Sequence, residues 1–81
     1  MSPGIWEIDI HNLNQYQAKI RIESQLRRAD RAVYVLRIIH GYNQGTALKD
    51  MIRTQFSGHQ KVKRIVPGSN PGVTELILRE L

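Results

Sequence analysis

The chain has 81 residues, of which 41% are apolar and 23% are charged, so it can form one small globular domain and does not have a disordered composition. Because it contains no cysteine, disulfide scaffolds, thiolate zinc sites and cysteine nucleophiles are excluded, and no run reaches the about 20 apolar residues of a membrane span. Twelve Lys and Arg against seven Asp and Glu give a net charge of +5, which favours a polyanionic partner such as nucleic acid. We expect one domain over residues 1–81, loose at 1–4, and a cytoplasmic location, since residues 1–4 do not resemble a secretory signal.

The first predicted elements are a strand and a helix. Residues 5–11 alternate between apolar and polar side chains, which is the pattern of a strand with one buried face. Asn14 and Gln17 then have the spacing of a capping box, and apolar residues recur at helical spacing beyond them. We therefore predict a helix over about residues 15–29.

A second strand and helix, followed by a hairpin, complete the chain. Residues 32–39 form a nearly unbroken β-prone run, which is typical of an interior strand. After a loop that holds two glycines, Thr46 can cap a helix over about residues 47–56. Residues 61–66 and 73–78 flank a turn-rich segment, and this arrangement predicts an antiparallel hairpin.

The element order βαβαββ predicts an α/β fold with two layers. A right-handed crossover pairs the first two strands in parallel, and the hairpin then adds two more strands. The result is a two-layer βαβαββ sandwich, in which a mixed four-stranded sheet carries both helices on one face. We expect this domain to be a monomer.

Two histidines occupy equivalent places at the ends of predicted strands. His11 ends the first strand and His40 ends the second, and each precedes a loop that leads into a helix. Ligands of open α/β sheets gather beyond the carboxyl ends of parallel strands, so we expect both histidines and both helix N-termini to share one rim. Asp9 lies on the same strand face as His11 and could orient its imidazole. Asp9, His11 and His40 are therefore the candidate catalytic residues for acid–base or metal-assisted phosphodiester chemistry.

Two of these residues also have structural interpretations. Asp9 could form an ion pair with Arg37 across the parallel strands, and His40 could be hydrogen-bonded into its turn. Three candidate ligands are few for a tightly held ion, so we predict no dedicated metal site. Magnesium that is held mostly by water and phosphate would fit these residues better than zinc.

The loop after the second strand is suited to an anion. Its glycines allow backbone conformations and close approaches that other residues do not, and the following helix presents the positive end of its dipole. Lys49 and Arg53 share one side of that helix and could flank bound phosphates, although the alternative is an ordinary solvated face. The residues predicted to contact nucleic acid are Gly41, Tyr42, Asn43, Gly45, Thr46, Lys49 and Arg53.

Two motifs resemble those of a known family. Residues 8–11, with the sequence IDIH, resemble the L-D-x-H motif of the Smr (small MutS-related) domain family, and residues 40–46 resemble its H-G-x-G region. Residues 67–74 also resemble the closing hairpin of that family, so the similarity covers residues 8–81. The chain departs from the pattern at Asn12, where glycine usually follows the first histidine. Its H-G loop is also longer, as in a standalone Smr variant.

The resemblance implies both a fold and a function. The fold would be a two-layer βαβαββ domain like the C-terminal domain of a bacterial translation initiation factor. The function would be binding to DNA or RNA, with nicking or endonuclease activity in some relatives. The site would then comprise Asp9, His11, His40, Gly41 and Gly45.

Three interpretations of the function follow from the sequence. The first is a nucleic-acid-binding domain with weak, metal-assisted endonuclease activity, and the second is a nucleic-acid-binding domain without catalysis. The third is a protein-interaction module, whose contact residues would be Tyr16 and Ile20 on the side of the first helix opposite its buried stripe. The departures from the family motifs are compatible with binding and weigh against cleavage.

Overall fold

The structure is a computed structural model that describes residues 4–42 and 45–80. Residues 1–3, which make up most of the N-terminus predicted to be loose, lie outside the described residues. Gly4 is hydrogen-bonded to the sheet, because its carbonyl accepts from the amides of Tyr34 and Val35 at 2.7 and 3.1 Å. Within the described residues no helix has the length and apolar character needed to cross a membrane.

The elements follow the predicted order βαβαββ. They are β1 (Ile5–Asp9), α1 (Gln15–Arg28), β2 (Val35–Ile39), α2 (Ala47–Phe56), β3 (Arg64–Pro67) and β4 (Val73–Ile77). The helices agree with the predicted ranges to within one residue, whereas the strands are shorter than predicted. One reason is local, since the Asp9 side chain accepts a hydrogen bond from the backbone N–H of His11 and the chain turns there.

The four strands form one mixed sheet in the order β1-β2-β4-β3. β1 and β2 are parallel, and β4 is antiparallel to both of its neighbours, β2 and β3. This confirms the predicted mixed sheet and the interior position of β2. It also makes β1 and β3 the edge strands, a difference that matters for the candidate site.

Helix α1 begins where its sequence predicts. The Asn14 side chain accepts from the Gln17 backbone N–H at 2.8 Å, and the Gln17 side chain accepts from the Asn14 N–H at 3.1 Å. This capping box satisfies two donors that the first turn would otherwise leave without partners. The buried residues Ala18, Ile22 and Leu26 recur every four positions and direct one face of the helix toward the sheet.

The core lies between the sheet and the two helices. Leu36 and Ile38 of β2 are almost inaccessible to solvent, as are Ile52 and Phe56 of α2. Burying one such side chain contributes roughly 1.5–3 kcal/mol, so this single core accounts for much of the stability of so small a domain. Its packing holds both helices on one face, with their N-termini at the end of the sheet where β1 and β2 finish.

Candidate functional site

The two histidines at the strand ends meet at Gly41. The His40 ring bonds to the Gly41 carbonyl, with 2.8 Å between Nδ1 and the oxygen. A Cβ atom added to Gly41 would lie 3.4 Å from the Cβ of His11, so the His11 side chain begins beside Gly41. Of the predicted convergence on one rim, the structure shows His11 and His40 beside Gly41, whereas residues 43 and 44 of the loop lie outside the described residues.

Asp9 and His11 form a side-chain pair on the open edge of this rim. One oxygen of the Asp9 carboxylate, Oδ1, bonds to the His11 ring nitrogen Nδ1 and also accepts from the His11 backbone N–H at 3.0 Å. The hydrogen bond from the ring, followed by that from the backbone, holds the pKa of Asp9 below its ordinary value. Because a carboxylate only accepts, the proton lies on Nδ1, and Nε2 is the ring nitrogen left for a ligand.

The alternative pairing of Asp9 with Arg37 is wrong. The parallel register places Glu7 opposite Arg37 and places Asp9 opposite Ile39. Arg37 instead donates through Nε to Glu75 on β4 at 3.0 Å, and its Nη1 lies 3.6 Å from Glu7. Asp9 is therefore left to orient His11.

His40 is a buried residue with both ring nitrogens occupied. Its Nε2 lies 2.8 Å from Oγ1 of Thr74 on β4, in addition to the bond from Nδ1 to the Gly41 carbonyl. Since a carbonyl only accepts, Nδ1 carries a proton, and in the neutral ring Nε2 accepts from the threonine hydroxyl. His40 is thus hydrogen-bonded into its turn, as one of its two interpretations predicted. A ligand could bind a ring nitrogen of His40 only by displacing Thr74 or the Gly41 carbonyl.

The loop after β2 uses its glycines for backbone conformation. Gly41 and Gly45 have φ angles of +78° and +83°, a region that residues with a Cβ rarely adopt. The amides of His40 and Gly41 both donate to the carbonyl of Gly72, at 2.9 and 3.0 Å, which ties this loop to the start of β4. Tyr42 is exposed and its ring lies against Gly72, where an added Cβ would come within 2.8 Å of it. Asn43 lies outside the described residues.

A cleft of about 240 Å³ opens between the N-termini of the two helices. We call it the rim cleft, and it is lined by Leu13, Asn14, Gln15, His40, Gly45, Ala47 and Leu48. Thr46 occupies the N-cap position of α2, but its side chain makes no capping bond and donates instead to Asp50 at 2.9 Å. Thr46 is therefore the N-cap residue, as predicted, but it caps without a side-chain bond, and within residues 4–42 and 45–80 the first N–H groups of α2 have no acceptor at the cleft.

The predicted cations of α2 extend away from the rim. Lys49 is half-buried, and Arg53 is exposed one turn further along. Arg53 also lines a shallow cleft of about 330 Å³ together with Arg64 on the edge strand β3. Asp50 in the first turn of α2 adds one negative charge among these cations.

The described residues include no cluster of three His, Asp or Glu side chains that could hold a metal ion. At the rim, Asp9 provides one carboxylate, and its Oδ2 atom has no hydrogen-bond partner in residues 4–42 and 45–80. Magnesium is commonly held by one or two carboxylates together with water and substrate phosphates. One carboxylate beside one histidine provides fewer ligands than the four of a structural zinc site.

Thr74 is the site residue that the sequence analysis missed. It is 1% exposed and is one of the two buried polar residues found in the described chain, the other being its partner His40. A hydroxyl inside a predicted strand such as Val73–Leu78 is a weak signal, since threonine is a common β-strand residue. Only the pairing of β2 with β4, which places Thr74 beside the end of β2, assigns it to the rim.

Comparison with known proteins identifies the family. The Smr domain family matches residues 8–74, which is most of the chain and includes both histidine motifs. The chain belongs to the Smr domain family. The crystal structure of the Smr domain of Thermus thermophilus MutS2 superposes with a TM-score of 0.80 at 28% sequence identity, and the match covers 93% of this chain and 99% of that chain. Among curated protein sequences, none matches the chain.

Family membership confirms the predicted fold and part of the predicted function. A mixed four-stranded sheet with two helices is the architecture of the Smr domain. Smr domains as a family are associated with nucleic-acid binding and nicking. The predicted class of partner for this Smr domain is thus supported at the level of the family.

Proposed function

We propose that this Smr domain binds nucleic acid at its rim and cleaves phosphodiester bonds weakly through the Asp9–His11 pair. The observation that carries the proposal is the arrangement of His11, whose ring is held by Asp9 through Nδ1 while the side chain is 50% exposed. An imidazole held at one nitrogen and open at the other can accept or deliver a proton in a defined direction.

Binding would depend on charge and on the backbone donors of the rim. The net charge of +5 attracts a polyanion, and release of its counterions makes the affinity depend on salt. The uncapped N-terminus of α2 supplies N–H donors at the rim cleft, and the positive φ of Gly41 and Gly45 allows the loop to approach a phosphate closely. Lys49 and Arg53 then continue the contact along α2.

Cleavage would use His11 as the general base. Its Nε2 takes the proton of an attacking water, the water oxygen forms a bond to phosphorus, and the bond from phosphorus to the leaving oxygen breaks, with a solvent proton neutralising that oxygen. Asp9 holds the imidazole in the required tautomer and stabilises the charge that develops on it. Bound magnesium would neutralise phosphate charge, with Oδ2 of Asp9 as its protein ligand.

His40 takes a positioning role in this proposal rather than a chemical one. Its ring bonds the Gly41 carbonyl and the Thr74 hydroxyl, so it connects the loop to β4. Loss of His40 would therefore affect binding and stability together, whereas loss of His11 would affect chiefly cleavage.

Incubation of the purified domain with supercoiled DNA and with structured RNA, each with and without magnesium, tests the cleavage. We expect slow conversion of at least one substrate in the presence of magnesium and none with EDTA. If the domain binds both substrates and converts neither, it is a binding domain without catalysis.

The salt dependence of affinity tests the binding surface. Replacing both Lys49 and Arg53 with alanine should lower affinity similarly for all sequences and reduce the slope of log K against log salt by about two units. The double variant Arg27→Ala/Arg28→Ala is the matched control, since it removes the same charge from the last turn of α1, at the end of the molecule away from the rim. Equal slopes for the two double variants would place the binding face elsewhere.

One observation favours protein interaction as a second candidate function. Tyr16 and Ile20 on α1 are exposed large hydrophobic residues, and Ile20 borders a cleft that Leu13 also lines. Binding through such a surface should change little between low and moderate salt, in contrast to nucleic-acid binding. A Tyr16→Ser/Ile20→Ser variant that keeps full affinity for nucleic acid separates the two surfaces.

A further inference from the structure

A second cleft lies at the end of the sheet opposite the rim. It has a volume of about 310 Å³, and the chain segments that bound it follow α1, precede β3 and follow β4. We call it the distal cleft, and its cationic residues are Arg31, Lys61, Lys63 and Arg79. None of these belongs to the rim cleft, and the volume is within the range of small-molecule sites, about 300–1,000 Å³.

Two of the four cations are held in place by backbone carbonyls. The Lys61 ammonium donates to the carbonyls of Leu26 and Ala29, at 2.6 and 3.4 Å, and so caps the carboxyl end of α1. Arg79 donates from Nη1 to the Arg31 carbonyl at 3.0 Å, and its guanidinium lies 5.8 Å from the centre of the Tyr34 ring. Both charges are thus positioned before any ligand arrives, which lowers the entropy cost of binding.

The other two cations are available to a ligand. Arg31 and Lys63 are exposed, and within residues 4–42 and 45–80 their side chains make no hydrogen bond or ion pair. With Asp30 as the single carboxylate of the distal cleft, positive charges outnumber negative ones by four to one. The cleft is therefore built to receive an anion at its border.

The interior of the distal cleft is aliphatic. Ala29, Val33 and Leu78 line it, and Val33 and Leu78 are themselves buried members of the core. A bare phosphate gains nothing from such a surface, because it would lose hydration without forming a hydrogen bond there. The ligand that fits carries an apolar body as well as an anionic group.

Two polar side chains narrow the chemistry further. Asp30 accepts the Ala32 backbone N–H through Oδ1 at 2.9 Å, which fixes the carboxylate and leaves Oδ2 to accept from a ligand hydroxyl or amino group. Gln60 is exposed at the cleft and offers both a donor and an acceptor, the combination used to recognise the edge of a nucleobase. A nucleotide has each of these parts, since it combines a flat base, ribose hydroxyls and a phosphate.

We propose that the distal cleft binds a nucleotide, with the base against Ala29 and the exposed edge of Leu78 and the phosphate between Arg31 and Lys63. Ribose hydroxyls donate to Asp30. The ligand is either a free mononucleotide or one nucleotide of a single-stranded polymer, because the same chemistry recognises both. This site is separate from the rim and does not depend on the function proposed there.

Titration of the ¹⁵N-labelled domain with three probes, followed by amide chemical shifts, tests the site. AMP should shift the amides of Val33, Lys61 and Arg79 saturably, and ribose 5-phosphate should bind at least about tenfold more weakly because it lacks the base. Inorganic phosphate should cause no saturable shift at these amides. Equal affinity for all three probes, or shifts from AMP confined to the rim, would overturn the proposal.

A charge-matched pair of variants locates the anion contact. Arg31→Gln/Lys63→Gln should raise the Kd for AMP about tenfold or more, since each lost contact is a charge-assisted hydrogen bond. Arg27→Gln/Arg28→Gln removes the same charge from nearby exposed positions outside the cleft and should change the Kd less than about twofold. Equal weakening by both variants would show attraction to net charge and would exclude a built site.

A single-stranded adenylate hexamer distinguishes the two sources of the nucleotide. Tighter binding of the hexamer than of AMP at the same amides assigns the site to a strand, and equal or weaker binding assigns it to free nucleotide. A His11→Ala variant should bind AMP and the hexamer at the distal-cleft amides with unchanged affinity. The proposal for the rim and the proposal for the distal cleft can then fail independently of each other. No shift at the cleft from either ligand would refute the proposal.

Discussion

His11 and His40 follow neighbouring parallel strands, yet they lie in different environments. The His11 side chain is 50% exposed and has one ring nitrogen occupied, whereas His40 is 6% exposed and has both occupied. β1 is an edge strand and β2 an interior strand, so β4 covers the end of β2 and contributes Thr74 beside His40. In this sheet the histidine after the edge strand keeps a ring nitrogen for chemistry. The histidine after the interior strand is buried, and both of its ring nitrogens are hydrogen-bonded to neighbouring residues.

The sharpest test of this difference is the effect of His11 on cleavage. His11→Ala should lower the cleavage rate by about a hundredfold or more, because a positioned acid–base group contributes roughly 10²–10⁴-fold. The melting temperature should change little, since the side chain lies on the surface. The measurement is single-turnover cleavage with magnesium, accompanied by thermal unfolding.

Asn12→Ala is the control for this experiment, because Asn12 is the exposed neighbour of His11 and has no role in the proposed chemistry. Its cleavage rate should remain within a few-fold of that of the parent. If the His11 variant cleaves as fast as the parent, the activity belongs to another site or to a contaminating nuclease.

The framework role of His40 predicts an effect on stability. Thr74→Val keeps the shape of the side chain but removes the hydroxyl, so Nε2 of His40 is buried without its partner. We expect a loss of about 1–3 kcal/mol in the free energy of unfolding, and about 4–8 °C in melting temperature for each kcal/mol in a domain of this size. Urea and thermal unfolding measure both quantities.

Thr46→Val is the matched control, since the Thr46 hydroxyl donates to Asp50 at an exposed position. It should change the free energy of unfolding by about 0.5 kcal/mol or less. Similar losses for the two threonine variants would mean that the bond between His40 and Thr74 contributes no more than a surface bond.

The smallest effect concerns the exposed pair and depends on pH. The pKa of Asp9 is below its ordinary value of 3.8 in the folded domain, chiefly because of its hydrogen bond from His11. The ionised carboxylate therefore stabilises the folded state above about pH 4, and this contribution is lost as the pH falls through the lowered pKa. Asp9→Asn should lower stability at pH 6 by at most about 1 kcal/mol, since the pair is half exposed.

Urea unfolding of both proteins between pH 6 and pH 2 measures this contribution, and the difference between them should shrink toward zero at the acid end. In a His11→Ala background, Asp9→Asn should have a smaller effect on the pH dependence, because the ring bond that contributes most to lowering the Asp9 pKa is absent and only the backbone N–H bond of residue 11 remains. A difference that stays constant across the pH range would contradict the assignment.

Much of the fold could be predicted because it depends on short-range patterns. The capping box of Asn14 and Gln17 and the apolar spacing beyond it placed α1, and the pattern of α2 predicted Ala47–Phe56 as observed. The rim could also be predicted, since the carboxyl ends of adjacent parallel strands always lie together. Thr46 is the N-cap residue, as predicted, but its hydroxyl makes no capping bond, because a hydroxyl near a helix start has more than one partner within reach and here it donates to Asp50.

The partners of individual side chains could not be predicted in the same way. Asp9 and Arg37 lie on adjacent strands, but Glu7 and Asp9 share one strand face, and a register difference of two residues decides that Glu7, and not Asp9, is opposite Arg37. The partner of His40 is 34 residues away on β4, and nothing in the local sequence indicates that Thr74 rather than another strand residue will be there.

The sequence by itself determined the elements and their order, because these depend on periodicity and turn chemistry. It also determined the parallel pairing of the first two strands through the handedness of the crossover, and hence the meeting of two histidines at a glycine loop. The tertiary structure alone decided which histidine stays free. That outcome depends on the strand order β1-β2-β4-β3, which leaves His11 at an open edge and places Thr74 and Gly72 beside His40. Burial and hydrogen bonding across a sheet involve residues far apart in the chain, so local sequence patterns cannot predict them.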